Sequence, residues 1–185
     1  METTTKTKVV EIMGAPLQVC ECDPGEQGTY PNFPAPNDWD DVIDCSCKPD
    51  SGAWVPFYRA TRAIYGSPCG KYVAKIDDPQ SGAYQNGKEW QKFLDHKDSP
   101  LLAKCFSYED FGSFSVLVQE RLTGPQPQKE DFTDQQLENI WREINYMDIS
   151  MNDIANFRGE LIPELAEYQF MYDSEGNIRL HDYGR

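Results

Sequence analysis

The sequence predicts an α+β protein whose sheet is made of antiparallel hairpins. Two observations carry this. Segments rich in β-branched and aromatic residues come in close pairs across short turns of Gly, Pro, Ser and Asp. Only two stretches show helical spacing of apolar residues, and there are no internal repeats. A length of 185 residues suits one domain, or one and a fraction, with a core of useful size.

The elements follow in order. Residues 7–13 (TKVVEIM) read as a short strand, and 23–37, with four prolines and two glycines, as an irregular arm. Residues 52–66 (GAWVPFYRATRAIYG) suggest a strand pair. The turn Gly66–Gly70 then leads into a hairpin strand, Lys71–Ile76. A short helix after Gly82 places Trp90, Phe93 and Leu94 on one face. Leu101–Tyr108 and Phe114–Leu122 flank a turn at Glu109–Gly112. Thr133 and Gln136 match a capping box, and Leu137, Ile140, Trp141, Ile144 and Met147 form the apolar stripe of the helix that follows. Tyr168–Tyr172 and Ile178–His181 flank Asp173–Asn177 as a last hairpin. Three units result: an acidic Cys- and Pro-containing segment, 1–51, packed on the core; a strand-rich unit, 52–122; and a linker with helix and hairpin, 123–185.

Charge narrows the partner. The formal net charge is -14 and the pI near 4.4, with four Trp, ten Tyr and nine Phe supplying core material that a disordered acidic chain lacks. Residues 21–50 carry eight acids against Lys48 alone, residues 51–129 eight acids against ten bases, and residues 130–185 thirteen acids against four bases. A near-neutral middle is therefore bracketed by acidic segments. Direct binding to nucleic acid or an anionic bilayer needs a basic footprint, which is absent. A basic protein surface suits such a chain, including one that normally holds nucleic acid. No apolar run spans a membrane and the N-terminus lacks a signal-peptide core, so a cytoplasmic setting with reduced thiols is expected. Cys20, Cys22, Cys45 and Cys47 form two Cys-X-Cys pairs. One intervening residue is tighter than structural zinc sites favour, and in a strand it puts both side chains on one face, so zinc is not the expected cofactor. His96 and His181 read as surface or packing residues.

Four short motifs in order resemble the protein-kinase-like fold, in particular small bacterial and phage kinase-like proteins with Asp-Tyr-Gly in place of Asp-Phe-Gly. Val73-Ala74-Lys75-Ile76 is similar to the strand that presents the phosphate-contacting lysine, and Glu89 sits where the first helix supplies its ion-pair partner. Val116–Leu122 resembles the strand entering the adenine-binding hinge, with Glu120 at its end. His181-Asp182-Tyr183-Gly184 closes the pattern, with Asp182 at the magnesium position. The resemblance implies an N-lobe over 52–122 and the first part of a C-lobe over 133–185, with ATP and magnesium as the possible cofactors.

Departures from the family pattern set the functional expectation. Phe57, Arg59 and Arg62 fall at the three glycine positions of the phosphate-covering loop, where bulky side chains obstruct backbone approach to phosphate. Counting back from Asp182, the catalytic aspartate position falls on Glu164, the nearby lysine on Ala166 and the metal-binding asparagine on Gln169. Asp153–Phe157 offers a second alignment that leaves too long a gap. The chain reaches Arg185 without an activation segment. The expectation is a shortened, pseudokinase-like, non-catalytic binding protein: a phage or mobile-element inhibitor occupying a basic surface of a host protein in the host cytoplasm. Two alternatives stay open. One is an atypical ATP-dependent phosphotransferase or nucleotide-binding regulator using Lys75, Glu89, Glu120 and Asp182, with Glu164 as base and magnesium on Asp182 and Gln169. The other is an interaction domain stabilised by zinc on the four paired cysteines. A cleft filled by Phe57 and Arg62 would decide against nucleotide chemistry.

Overall fold

The computed structural model describes residues 7–20, 52–59, 62–77, 84–150, 155–156, 164–165 and 169–184. Strands β1 (Thr7–Ile12) and β2 (Ala15–Cys20) form an antiparallel hairpin. Its two turn residues, Met13 and Gly14, both have positive φ (50° and 75°), the pattern that matches the twist of a two-residue hairpin. The strand expected over 7–13 is thus half of a hairpin. Its partner was hidden because Pro16 interrupts the β pattern, and an edge position tolerates that proline.

Strands β3 (Val55–Arg59), β4 (Ala63–Gly66) and β5 (Tyr72–Asp77) follow, then helix α1 (Gln85–Asp95), β6 (Cys105–Asp110) and β7 (Ser115–Glu120). They make one five-stranded antiparallel sheet in the order β3-β4-β5-β7-β6. Helix α2 (Asp134–Tyr146), the short pair β8 (Ala155–Asn156) and β9 (Glu164–Leu165), and the hairpin β10 (Phe170–Tyr172) and β11 (Ile178–Leu180) complete the chain's elements. The fold is α+β: a sheet and one helix arranged like the small lobe of a kinase-like fold, followed by the helix and hairpins of a second layer.

Strand alternation sends the central residues to two different cores. Ala74 and Ile76 of β5 and Val116 and Val118 of β7 face the β1–β2 hairpin, meeting Ile12, Leu17 and Trp54. Leu117, on the opposite face, joins Leu137, Trp141 and Ile144 of α2 with Phe170, Leu180 and Tyr183. The β1–β2 hairpin therefore covers one face of the sheet. Trp54, fully buried, fastens it: its indole Nε1 donates to the Ile12 carbonyl at 3.1 Å and its backbone N–H to the Pro16 carbonyl at 2.9 Å.

The second layer is fastened from both ends of α2. Thr133 and Gln136 form the expected capping box, so two orphan N–H groups of the first turn are satisfied reciprocally. Leu137, Trp141, Ile144 and Met147 of the expected stripe are buried, while Ile140 is half-buried at its edge. At the other end, the Lys92 ammonium of α1 donates to the carbonyls of Met147 (3.2 Å) and Asp148 (2.5 Å). A cation there satisfies unpaired carbonyls and suits the helix dipole.

Helix α1 meets its expected apolar face in part, with Trp90 and Phe93 packed against the core of Leu117 and Tyr183. Trp90 and Phe93 are half-buried and Leu94 is exposed, whereas Gln85, Asn86 and Glu89 are buried. A second, smaller difference is that β6 runs through Asp110, with the turn at Phe111–Phe114 closed by the Phe111 N–H on the Phe114 carbonyl at 2.9 Å. Among the described residues, no helix is long and apolar enough to cross a membrane.

Truncating Trp54 to Ala removes both a large buried side chain and the indole tie to β1. Such a change costs about 3–5 kcal/mol. Urea unfolding of W54A is expected to show an unfolding free energy lower by that amount and a correspondingly lower midpoint, with Trp54→Phe recovering the packing share of the loss.

Candidate functional site

The inner face of β5 and β7 is polar where α1 crosses it. Register pairs Lys75 with Leu117, Val73 with Gln119 and Asp77 with Ser115. Lys75, Asp77, Ser115 and Gln119 are all buried. Buried polar groups persist only when hydrogen-bonded, and here α1 supplies the partners. Asn86 and Glu89, three residues apart, share one side of the helix. The Asn86 amide donates to the carbonyls of Lys75 (2.8 Å) and Ser115 (3.1 Å), and its backbone N–H donates to Asp77 Oδ2 at 3.2 Å. The first turn of α1 is thereby pinned to two adjacent strands.

Glu89 is the centre of the site. Its Oε1 accepts from Lys75 Nζ at 2.7 Å and from Gln119 Nε2 at 3.1 Å, and its Oε2 accepts from Arg62 Nη1 at 2.5 Å. Arg62, just before β4, reaches further. Its Nη1 also donates to Asn86 Oδ1 at 3.0 Å, and its Nη2 to Asp182 Oδ1 at 2.6 Å. Lys75 Nζ donates in addition to the His181 carbonyl, so the residues after β11 are tied to β5. Two cations and two carboxylates are closed on one another, with Arg62 bridging Glu89 and Asp182.

The electrostatics follow from burial and pairing. Burial alone would raise the Glu89 carboxyl, but the Arg62 and Lys75 cations hold it below the usual carboxylate range. Burial works against the charge of Arg62 too, yet Glu89 and Asp182 keep the guanidinium firmly protonated. Lys75 is pushed below its ordinary value by burial, against the pull of Glu89. Burial, reinforced by the Lys75 charge, pushes the His181 imidazole down to about 4, so it is neutral near pH 7.

The Asp-Tyr-Gly segment locks behind α1. The Tyr183 hydroxyl donates to the Ala103 carbonyl at 2.9 Å and lies 3.2 Å from Cys105 Sγ and 3.4 Å from Gln119 Nε2. Burial raises the pKa of Tyr183 and lifts Cys105 to about 11, so both remain protonated. Gly184 lies against the Gln85 carbonyl and the Glu89 Cβ, and a side chain at 184 would drive into that backbone. Glycine is required there by close approach.

Of the residues singled out from sequence, Lys75, Glu89 and Asp182 come together. Arg62 joins them, whereas Glu120 and Gln169 make no described bond to any of the three. Glu120 turns to the sheet edge, its Oε1 accepting from the Lys104 N–H at 2.7 Å. Gln169 is buried with its Oε1 unpartnered among the described residues, and its carbonyl accepts from the His181 N–H at 3.1 Å. Glu164 lies in β9 opposite Asn156, and its side chain falls outside the described residues. Cys20 ends β2, while Cys22, Cys45, Cys47 and Ala166 lie outside the described residues. Among those described, no group of His, Cys, Asp and Glu is arranged to hold a metal, and Cys69 and Cys105 are free thiols. Arg62, read from sequence only as an obstruction, turns out to organise the site. Asn86 and Gln119 had no sequence signal, and the Phe57 side chain is outside the described residues.

This geometry does not fit a magnesium ion. A divalent ion binds carboxylate oxygen at about 2 Å. On Asp182 it would be forced against the guanidinium that already occupies Oδ1, with the Lys75 ammonium bonded to the neighbouring residue's carbonyl.

No protein-family model matches the chain. No curated protein matches it either. Among solved structures, WbdD in a co-crystal with a kinase inhibitor is similar over 69% of this chain, with a TM-score of 0.48 and 15% identity. The chain spans 31% of that chain's length.

Two measurements probe the cluster. Glu89→Ala leaves both Lys75 and Arg62 without their shared buried anion, a loss of about 3–5 kcal/mol. Denaturant titration is expected to show it, with Asn86→Ala costing less. The second is pH. His181 is neutral when folded and titrates near 6.5 when unfolded, so the unfolded state binds the extra proton as pH falls. Stability is full above about pH 6.5 and declines towards pH 4, by at most about 1.4 kcal/mol per pH unit. H181Q, which keeps the backbone carbonyl on Lys75, is expected to flatten the melting temperature over that window.

Proposed function

We propose that the protein is a non-catalytic, kinase-like binding module that acts by docking onto a partner. The observation that carries this reading is Arg62, held at 2.5 Å from Glu89 and 2.6 Å from Asp182. A kinase-type phosphate-transfer cleft pairs its strand lysine with the helix glutamate and keeps its metal carboxylate open to the ion that bridges the phosphates. Here the metal-position carboxylate, Asp182, is engaged internally by Arg62, a side chain from a position where kinase-like proteins carry glycine, and Arg62 also shares Glu89 with Lys75. The partner is a protein with a basic surface, such as one that holds nucleic acid. The net charge of -14, concentrated in residues 21–50 and 130–185, supports that choice.

The test has two arms. Purified protein incubated with labelled ATP and magnesium should transfer no more phosphate, to itself or to a generic acceptor, than Lys75→Met does. Transfer that depends on Lys75 would overturn the reading. In the binding arm, capture of a basic partner should weaken at least tenfold between about 50 and 500 mM salt, as expected for charge-driven association. Capture indifferent to salt would contradict the acidic docking surface.

A further inference from the structure

Resting on the reading above, we infer that Arg62 is a built-in substitute for a divalent cation, so that the cleft is assembled without metal or nucleotide. A lysine and a divalent ion in a cleft of this kind leave positive charge for phosphate to balance. In this chain Lys75 and Arg62 are already balanced by Glu89 and Asp182. Asp77, buried at the end of β5, adds a further negative group that favours the Arg62 charge. The cluster has no uncompensated cation left for an anion to recognise.

Geometry gives the same answer. The planar guanidinium presents donors in a fixed fork, which lets one group serve two carboxylates at once. Nη1 takes Glu89 and Asn86 on α1, and Nη2 takes Asp182 after β11. A metal ion bridging a helix carboxylate to a strand-end carboxylate would make the same connection between the same elements. Arg62 is 5% exposed, so the connection is internal rather than a rim contact. The two carboxylates that a cation would tie together are tied already.

The inference predicts how stability responds to metal. The melting temperature of the 185-residue chain should move by less than about 1 °C on adding EDTA, millimolar MgCl2, MnCl2 or Mg-ATP. Arg62→Ala should melt roughly 5–10 °C lower, given the temperature scale of a chain this size. MgCl2 or MnCl2 should restore at least half of that loss, because Glu89 and Asp182 are then free to share an ion. The double variant R62A/D182N should recover nothing. If R62A does not fold, Arg62→Lys serves: one ammonium cannot fork to both carboxylates, so it should melt lower than the parent and stay indifferent to metal. Stabilisation of the unmodified protein by Mg2+ overturns the inference, as does an R62A variant as stable as the parent or unmoved by either metal. The outcomes separate from those of the binding reading. Metal-induced stabilisation with no phosphate transfer removes the cation substitution alone, whereas Lys75-dependent transfer removes the non-catalytic reading itself.

Discussion

Glu89 joins the sheet, α1 and Arg62 at one point. It is a fully buried carboxylate, and such a group is tolerable only with charged and hydrogen-bonded company. It obtains Lys75 from β5, Gln119 from β7 and Arg62 from before β4. Through Arg62 and Lys75 it also reaches Asp182 and the His181 carbonyl. One side chain thus sets the seating of α1, the rotamers on the inner sheet face and the path of the residues after β11. Removing the anion strands two cations, whereas removing one cation leaves the other.

Apolar packing and this polar cluster divide the work between faces. The hairpin β1–β2 is held to one face of the sheet by Trp54 and its apolar neighbours. On the other face α2, β10 and β11 pack around Leu117 and Tyr183. Helix α1 sits beside that second core but buries polar residues against the sheet, so its position is set by directional bonds. Such bonds fix a geometry more sharply than area does, at the risk of large losses when one partner is missing. That sharpness is what a cleft needs if it is to hold one shape without a ligand.

Much of the framework was legible in the sequence, because hairpins and capped amphipathic helices announce themselves locally. Thr133 with Gln136 gave the start of α2, and the spacing of Leu137, Trp141 and Ile144 gave its buried stripe. The Lys75, Glu89 and Asp182 assembly was readable from short motifs in order. The apolar face of α1 was legible in Trp90 and Phe93, which pack against the core, but periodicity detects apolar stripes and gave no sign of the buried Asn86 and Glu89. The part played by Arg62 could not be read at all. Its partners are 27 and 120 residues away, and nothing local distinguishes a guanidinium that bridges two carboxylates from one in solvent.

Arg62 ties the residues after β11 to α1 through its pair with Asp182. A double-mutant cycle measures it directly, using Arg62→Ala, Asp182→Asn and the combination in urea unfolding. The pair predicts a coupling energy of about 1.5–3 kcal/mol, as contacting charged groups in one network give. A coupling below about 0.5 kcal/mol, with the two losses simply additive, would contradict it.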